Sequence, residues 1–398
     1  MRLRPLTLLG IMASMTMGVA FGIVAFQEFI GELRLGRDTS SLGAVLQRVQ
    51  DAYVEPIDET TMTENAIRGI VDGLDKHSSF LDASALRDLR EETTGSFGGI
   101  GIDVGLVKGY ITVIAPLDDT PAARAGLRAG DTLIEVDHRS LKGRTIRETV
   151  KDLRGEPGTA VHVRVRRDGA AAPVDFELVR ADIRVNSVRS RLIEPGYGYL
   201  RIAQFQNRTP RDLREAVQRL AGGSPGGLLG LVVDLRNNPG GVLGASVDVA
   251  DEFLDGGLIV YTEARDKKAE VRFMAEKGDI LDGAPLVVLI NRGSASAAEV
   301  VAGALQDHGR ATVVGTRSYG KGSVQSVLEL EGRRAIKLTT AHYYTPNGRS
   351  IQASGIDPDI ALPPTENDST AAYNELLLAT ALRQLKKSPP SEMGSARG

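Results

Sequence analysis

The sequence predicts an α/β protein: a mainly parallel, buried sheet with helices, preceded by a smaller α+β module and carrying further helices at both ends. Three observations predict it. From Tyr197, continuous apolar runs alternate with helical stretches: YGYLRIAQF, PRDLREAVQRLAG, LLGLVVDLR, GASVDVADEFL, PLVVLIN, SAAEVVAGALQDHG and RATVVGT. Such alternation marks parallel strands covered on both faces. Between Gly95 and residue 182 the texture differs, with short β-type runs (GSFGGIGIDVG, YITVIAPL, DTLIEVD, AVHVRVRRDG) punctuated by Gly, Pro and Asp and interrupted by one helix, RTIRETVKDLRG. Short amphipathic stretches before residue 95 and after residue 365 read as helices.

Taken in order, residues 1–30 carry Arg2 and Arg4 and then no charge from Pro5 to Gln27. A signal peptide has an apolar region of ~7–15 residues, whereas a spanning helix needs about 20. The length favours a membrane anchor with the bulk of the chain outside the cytoplasm; Gly18-Val-Ala20 offers cleavage as the alternative. Residues 31–94 form a helical region. Leu42, Val45, Leu46, Val49 and Tyr53 fall at helical spacing, and TENAIRGIVDGL comes next with Thr63 as N-cap. These helices suit packing on the next domain or on a second subunit, so a homo-oligomer, a dimer first of all, is expected. Residues 95–182 form the α+β module and 183–365 the α/β core, whose last runs, SVQSVLELEG and RAIKLTTAHYYT, are strand-like without intervening helices. Residues 366–398 supply a final helix, AAYNELLLATALRQLKK, and a polar tail expected to be disordered.

Composition narrows the chemistry. The 398 residues have a net charge of −3, which gives a nucleic-acid partner no electrostatic support. No cysteine is present, so disulfides, thiolate metal sites and cysteine catalysis are excluded. Five histidines, with no HExxH and no close pair, make a zinc site an unfavourable reading, and no metal or cofactor is expected.

One stretch, GTRSYGKGS (315–323), imitates a phosphate-binding loop. It lacks the hydroxyl directly after Lys321, because Gly322 stands there, and the run SVQSVLELEG immediately after it reads as strand rather than helix. Ser318-x-x-Lys321 also has the spacing of a serine acyl-enzyme motif, but that motif needs a helical turn, and Tyr-Gly-Lys-Gly starts helices poorly.

A better partner for Lys321 is Ser296 in VVLINRGSASAAEVVAGAL. A buried strand, a Gly-containing turn and a helix starting near Ser296 put a hydroxyl at a helix N-terminus, with the Ala297 amide as an oxyanion donor. The plainer reading of Ser296 is an N-cap. As a nucleophile it needs a base. His308 lies 12 residues on, roughly 18 Å away by helical rise, and cannot serve. A neutral lysine remains, provided burial lowers its pKa. Lys321, Ser323 and Gln325 alternate onto one strand face, where Gln325 could orient the amine without adding charge.

With these residues in place the chain resembles the C-terminal processing (tail-specific) peptidases, Ser/Lys endopeptidases that carry a PDZ domain. GSASAAE followed by YGKGSVQ 25 residues on carries the resemblance, together with VVDLRNNPGG and DGLDKHSSFLD, the last with Lys76 where the family usually has Pro. The resemblance implies a crotonase-like α/β core with an inserted PDZ domain. It implies Ser296 as nucleophile, Lys321 as base, Gln325 as accessory residue, and Gly240 or Gly241 as the second oxyanion donor. FGGIGIDV resembles a PDZ carboxylate loop. The amides of Gly98, Gly99 and Gly101, around Ile100, could form an anion-holding nest, and the adjoining strand edge could take a peptide as an added strand.

The reading is therefore an extracytoplasmic serine endopeptidase, of periplasm or cell envelope, acting on proteins with free, flexible C-termini. Arg154, at the end of the module's helix, is a candidate for coupling tail binding to the protease; a solvated helix-end Arg is the alternative. A non-catalytic tail-binding scaffold or chaperone is the rival from another class, and an esterase differs only in substrate.

Overall fold

A computed structural model describes residues 39–117, 119–363 and 369–387, so the anchor segment and the C-terminal tail lie outside the described residues. The chain divides into two compact units at Leu74/Asp75.

In the first unit, α1 (Thr39–Ala52) and α2 (Glu59–Asp72) are short helices. Asp58, not Thr63, caps α2, accepting from the Thr61 amide. Thr63 lies one turn inside, its hydroxyl bonded to the Glu59 carbonyl. A carboxylate ahead of Glu-Thr-Thr takes the cap because its oxygens reach the orphan amides, where a mid-helix threonine has only a carbonyl to bond. Leu42, Val45 and Val49 of α1, and Tyr53 just after it, are exposed.

The second unit begins with β1 (Ser79–Leu81) and α3 (Ala83–Thr94), a helix inside the 31–94 helical region for which no individual stretch had been marked. Asp82 caps α3, and Gly95 closes it in the left-handed region, φ 72°. The α+β module comes next: β2 (Ser96–Gly99), β3 (Ile102–Val107), β4 (Tyr110–Pro116), α4 (Pro121–Ala125), β5 (Thr132–Val136), β6 (Arg139–Ser140), α5 (Ile146–Leu153), β7 (Ala160–Arg166), β8 (Val174–Val179) and β9 (Ala181–Arg184). Its sheet runs β3-β4-β5-β7-β8, with β6 on β5, and β2 pairs with β9. Alternate residues of β7 point inward; Val161, Val163 and Val165 are buried in one core with Ile111, Val113 and Leu133. Helix α5 opens on a Thr145/Glu148 capping box. Among the described residues, one edge of β3 is left unpaired.

The larger part contains β10 (Val188–Glu194), β11 (Tyr197–Ile202), α6 (Thr209–Gly222), β12 (Gly230–Asp234), α7 (Leu243–Asp251), β13 (Gly257–Ala264), β14 (Arg272–Ala275), β15 (Leu286–Ile290), α8 (Ala297–Asp307), β16 (Ala311–Gly315), β17 (Ser323–Leu330), β18 (Arg334–Tyr344), β19 (Ile360–Ala361) and α9 (Thr370–Lys387). One sheet has the order β10-β11-β12-β15-β16-β19, parallel from β11 onward. Strands β12 and β15 are buried at every position, as continuous apolar runs require. Alternation decides which core each side chain joins. Leu231 and Val233 face the cluster with α6, α7 and α8, while Val232 meets Leu377, Ala381 and Leu385 of α9. The second sheet is antiparallel, β1-β18-β13-β14, with β17 also on β18.

This topology fixes the site. The loops after β12, β15 and β16, three neighbouring parallel strands, emerge at the same carboxyl edge, where ligands bind in open α/β sheets. They carry Gly240–Gly241, Ser296 and Lys321.

Candidate active site

Strand β15 ends at Ile290, and the turn after it is sewn to the loop after β12. Ser294 donates its hydroxyl to the Leu235 carbonyl at 2.8 Å, and the Ala295 amide bonds the Asn238 carbonyl at 2.9 Å. The fully buried Asn238 side chain reaches the Ile202 carbonyl and accepts from the Gly240 amide. Ser296 then adopts φ 55°, ψ −116°, a conformation that costs a non-glycine residue about 1–3 kcal/mol. Strain of this kind persists only where the surroundings over-determine it, and here they lift the side chain out of the helix line at the start of α8.

Gly240 shows how close the two loops come. A Cβ on it would lie 2.8 Å from Ser296 Cβ and 3.2 Å from the Ala297 nitrogen, and its φ is 107°. A Cβ on Gly241 would lie 2.0 Å from the Phe205 carbonyl oxygen. The amides of Ala297 and this glycine pair therefore border Ser296. The Gly240 N–H is already bonded to Asn238 Oδ1 at 2.9 Å. Around Gly241, Phe205 N–H bonds the Gly240 carbonyl and Val242 N–H bonds the Phe205 carbonyl. A parallel bridge of this kind turns the Gly241 N–H to the other side.

The residue that joins nucleophile loop and lysine loop is Glu299, which reading the sequence missed. Its side chain is completely buried. One carboxylate oxygen accepts from Ser318 Oγ at 2.5 Å and the Gly320 amide at 2.6 Å; the other accepts from the Ser296 amide at 2.7 Å and the Lys321 amide at 2.9 Å. An acidic residue in the first turn of a helix is an ordinary helix-start feature, so its sequence context gave no sign of this role. Ser318, the serine of Ser-x-x-Lys, also accepts from the Ile356 amide and has a structural job. His308 caps the far end of α8 and bonds the Leu258 carbonyl, away from Ser296.

These features coincide with a known family. Residues 196–362 match peptidase family S41 and residues 98–178 match a PDZ domain. A carboxy-terminal-processing protease of Bartonella bacilliformis is 44% identical over 361 residues, covering 90% of this chain and 83% of the relative. A chloroplastic C-terminal processing peptidase of Tetradesmus obliquus is 34% identical over 347 residues, covering 82% and 74%. The chain belongs to peptidase family S41. A solved structure titled photosystem II D1 C-terminal processing protease is 33% identical, covering 82% of this chain and 88% of its own, with a TM-score of 0.49. The chain is thus a serine peptidase with a PDZ domain, as the resemblance implied.

Within this S41 peptidase, Lys321 is half-buried ahead of β17. Burial lowers its pKa, the nearby positive charge of Lys337 lowers it further, and Glu299 opposes both. Lys337 stands on β18 opposite Val327 of β17 and Ser79 of β1. Beside these lysines the neutral imidazole of His77 is favoured: burial first, then Lys321, Lys76 and Lys337, holds its pKa below the usual range. The neighbouring Asp75 accepts from the amides of His77 and Ser78 and from the Ser78 and Thr339 hydroxyls, tying the DGLDKHSS segment to β18.

Gln325 shares its face with Ser323, as alternation predicts, and donates to Ser323 Oγ at 2.8 Å. Among the described residues no hydrogen bond joins Lys321 Nζ to Gln325 or to Ser296 Oγ. A bulge between Val324 and Gln325, which places Gln325 opposite Thr339, is the local irregularity the pattern could not show.

The PDZ loop departs from expectation. Gly98 and Gly99 lie within β2, opposite Asp182 and Ala181, where successive amides point to opposite sides and cannot converge as a nest. Gly101 alone of the three has positive φ, 77°. These glycines are required by close approach: a Cβ on Gly98 would lie 1.9 Å from the Gly155 carbonyl oxygen, and one on Gly101 would meet Thr120 at 2.4 Å. Arg154 is not a solvated helix-end residue. It pairs with Glu91 of α3 at 2.8 Å, lies over the Phe97 ring at 4.4 Å, and has a buried Nε without a partner among the described residues.

Proposed function

We propose that this chain is a carboxy-terminal-processing endopeptidase in which Ser296 is the nucleophile and Lys321 the base. The observation that carries the reading is the buried Glu299 carboxylate, which bonds the backbone of both residues and so sets one against the other. Ser296 Oγ attacks the scissile carbonyl carbon and its proton passes to Lys321 Nζ, whose pKa burial lowers in the direction a base needs. The amides of Ala297 and Gly241 hold the oxyanion; Gly240, occupied by Asn238, shapes the pocket instead. Lys321 returns the proton to the leaving amine, and water then releases the acyl-enzyme by the same steps. Gln325 orients the lysine once the side chain swings toward Ser296.

Substrates are proteins with free, flexible C-termini. The unpaired edge of β3 can take such a tail as an added strand beside α5, with residues 98–101 at its end. Arg154, linking α5 to Glu91 on α3, is the candidate by which an occupied groove is felt in the protease. The exposed apolar stripe of α1 suits a second copy of the chain, and the N-terminal apolar segment suits delivery to, and anchoring at, the cell envelope. No helix among the described residues is long and apolar enough to cross a membrane.

The test is Ser296→Ala assayed on a protein with a flexible tail. Cleavage should vanish while tail binding persists; cleavage at the normal rate would remove Ser296 from the mechanism.

A further inference from the structure

Gln325 has one end tied down and the other free. Its Nε2 donates to Ser323 Oγ at 2.8 Å and to Thr339 Oγ1 at 3.5 Å. Both protons of the NH2 are thereby used, and Oε1 accepts from no donor among the described residues. Ser323 is buried, and Thr339 stands opposite Gln325 on β18. The bulge makes this pairing. Val324 faces Ala341, so a regular ladder would set Thr340 against Gln325; Thr340 bonds Ser326 instead, at 2.8 Å. A hydroxyl can donate or accept, so the direction of the Thr339 bond needs a reason. The reason is Asp75. Thr339 Oγ1 donates to Asp75 Oδ1 at 3.3 Å, and a carboxylate only accepts. Burial pushes the Asp75 carboxyl up, but the His77 amide, the hydroxyl and amide of Ser78 and the Thr339 hydroxyl outweigh it and hold it down to about 2. With its proton committed to Asp75, Thr339 has only lone pairs to offer Gln325. The NH2 of the amide, not its carbonyl, must face them. The Thr339 amide also bonds Ser78 Oγ at 3.1 Å, which ties the strand to the same segment.

We propose that Thr339 and Ser323 are positioning residues for the base: their hydroxyls hold the NH2 of Gln325 and so present its Oε1 to Lys321 Nζ. The inference rests on the Ser296/Lys321 reading, with Gln325 as the residue that orients the amine. The chemistry requires this polarity. An amine that takes the Ser296 proton becomes an ammonium, which has only donors. An Oε1 facing it accepts one of them and steadies the charge. An NH2 facing it would set donor against donor and turn the amine away from Ser296. The two hydroxyls achieve the orientation without a second carboxylate beside the lysine, which would raise its pKa and spoil the base. No proton moves along Asp75, Thr339 and Gln325; the series sets direction alone.

The experiment is Thr339→Val, which exchanges a hydroxyl for a methyl and keeps a β-branched residue in the strand. The expected result is a fall in kcat of about 2- to 10-fold, the loss of one hydrogen bond, with KM for a flexible-tailed peptide unchanged. Ser323→Ala should act in the same direction. Thr339→Ser, which gives the hydroxyl back, should return kcat to within about twofold of the parent. In a Gln325→Ala background, itself slower than the parent, Thr339→Val should cost nothing further, because no amide is left to orient. A kcat for Thr339→Val within about twofold of the parent overturns the proposal. A loss that Thr339→Ser does not recover overturns it, as does one that recurs in full in the Gln325→Ala background. Rates are normalised to the folded fraction by circular dichroism throughout. Ser296→Ala, run alongside, must abolish cleavage. Cleavage at the parent rate by Ser296→Ala or by Gln325→Ala would sink the underlying assignment, whereas failure of Thr339→Val alone leaves that assignment standing.

Discussion

Replacing Glu299 with Gln isolates what the buried carboxylate does. The two side chains are nearly the same size, so no cavity is made. The parent carboxylate satisfies four donors, two on each oxygen. Glutamine offers one oxygen and one NH2. If the NH2 faces Ser296 and Lys321, two backbone N–H groups meet a donor and neither can rotate away. If it faces Ser318 and Gly320, the Ser318 hydroxyl can reverse but the Gly320 N–H cannot. The second orientation is the less costly, and it still forfeits two charge-assisted bonds worth about 1.5–3 kcal/mol each. The glutamine also escapes the cost of burying a charge, so a net loss of about 2–4 kcal/mol is expected. In a unit of this size about 1 kcal/mol moves Tm by about 2 °C, giving a fall of roughly 4–8 °C in scanning calorimetry. The catalytic effect should be larger than the stability effect suggests. The Gly320 end of the turn shifts to relieve its donor, Lys321 moves with it, and a misplacement near 1 Å costs on the order of 10²-fold in kcat. Steady-state cleavage below Tm measures this. A Gln variant with the parent's Tm and kcat would refute the claim that the carboxylate joins the two loops.

Three further outcomes rest on the same geometry. Lys337→Met removes a positive charge that helps lower the Lys321 pKa; the pH at which kcat/KM rises should move upward, lowering activity at neutral pH, and an unchanged pH–rate profile would exclude electrostatic tuning by this residue. Gly240→Ala places a Cβ 2.8 Å from that of Ser296 at φ 107°; it should cost about 1–3 kcal/mol of stability and roughly 10²-fold in kcat, while tail binding by calorimetry stays at the parent value. Arg154→Ala strips Glu91, whose carboxyl burial already pushes upward, of its ion pair; the ratio of cleavage with and without added tail peptide should fall, and an unaltered ratio excludes coupling through this pair.

Much of the core was legible because local pattern and tertiary role agree there. LLGLVVDLR and PLVVLIN are apolar throughout, and both strands are buried on both faces. Ser296 could be placed at a strand–turn–helix junction, and Lys321 on a turn before a strand, because glycine and periodicity mark such places. What escaped depended on residues distant in sequence. Helix α3 offers a thin apolar face, Leu86 and Leu89, and packs with Ala335, which is about 250 residues away. Glu299 reads as a helix-start acid until Ser318, Gly320 and Lys321 fold over it. The glycines at 98 and 101 suggested a nest when in fact Gly155 and Thr120 leave no room for a Cβ.

Helix α3 has a consequence beyond its own packing. One end adjoins β1, the strand laid on β18; the other delivers the chain into β2 of the PDZ domain and holds Glu91 against Arg154. Twelve residues make a rod about 18 Å long. Under the coupling proposed for Arg154, a tilt of a few degrees of such a rod at the peptide-binding end would become a displacement of about 1 Å at its other end, beside the strand bearing Lys337. Proteolysis and recognition would then share one moving part, and a substitution that softens α3 would be expected to blunt the response to a tail while leaving both domains folded.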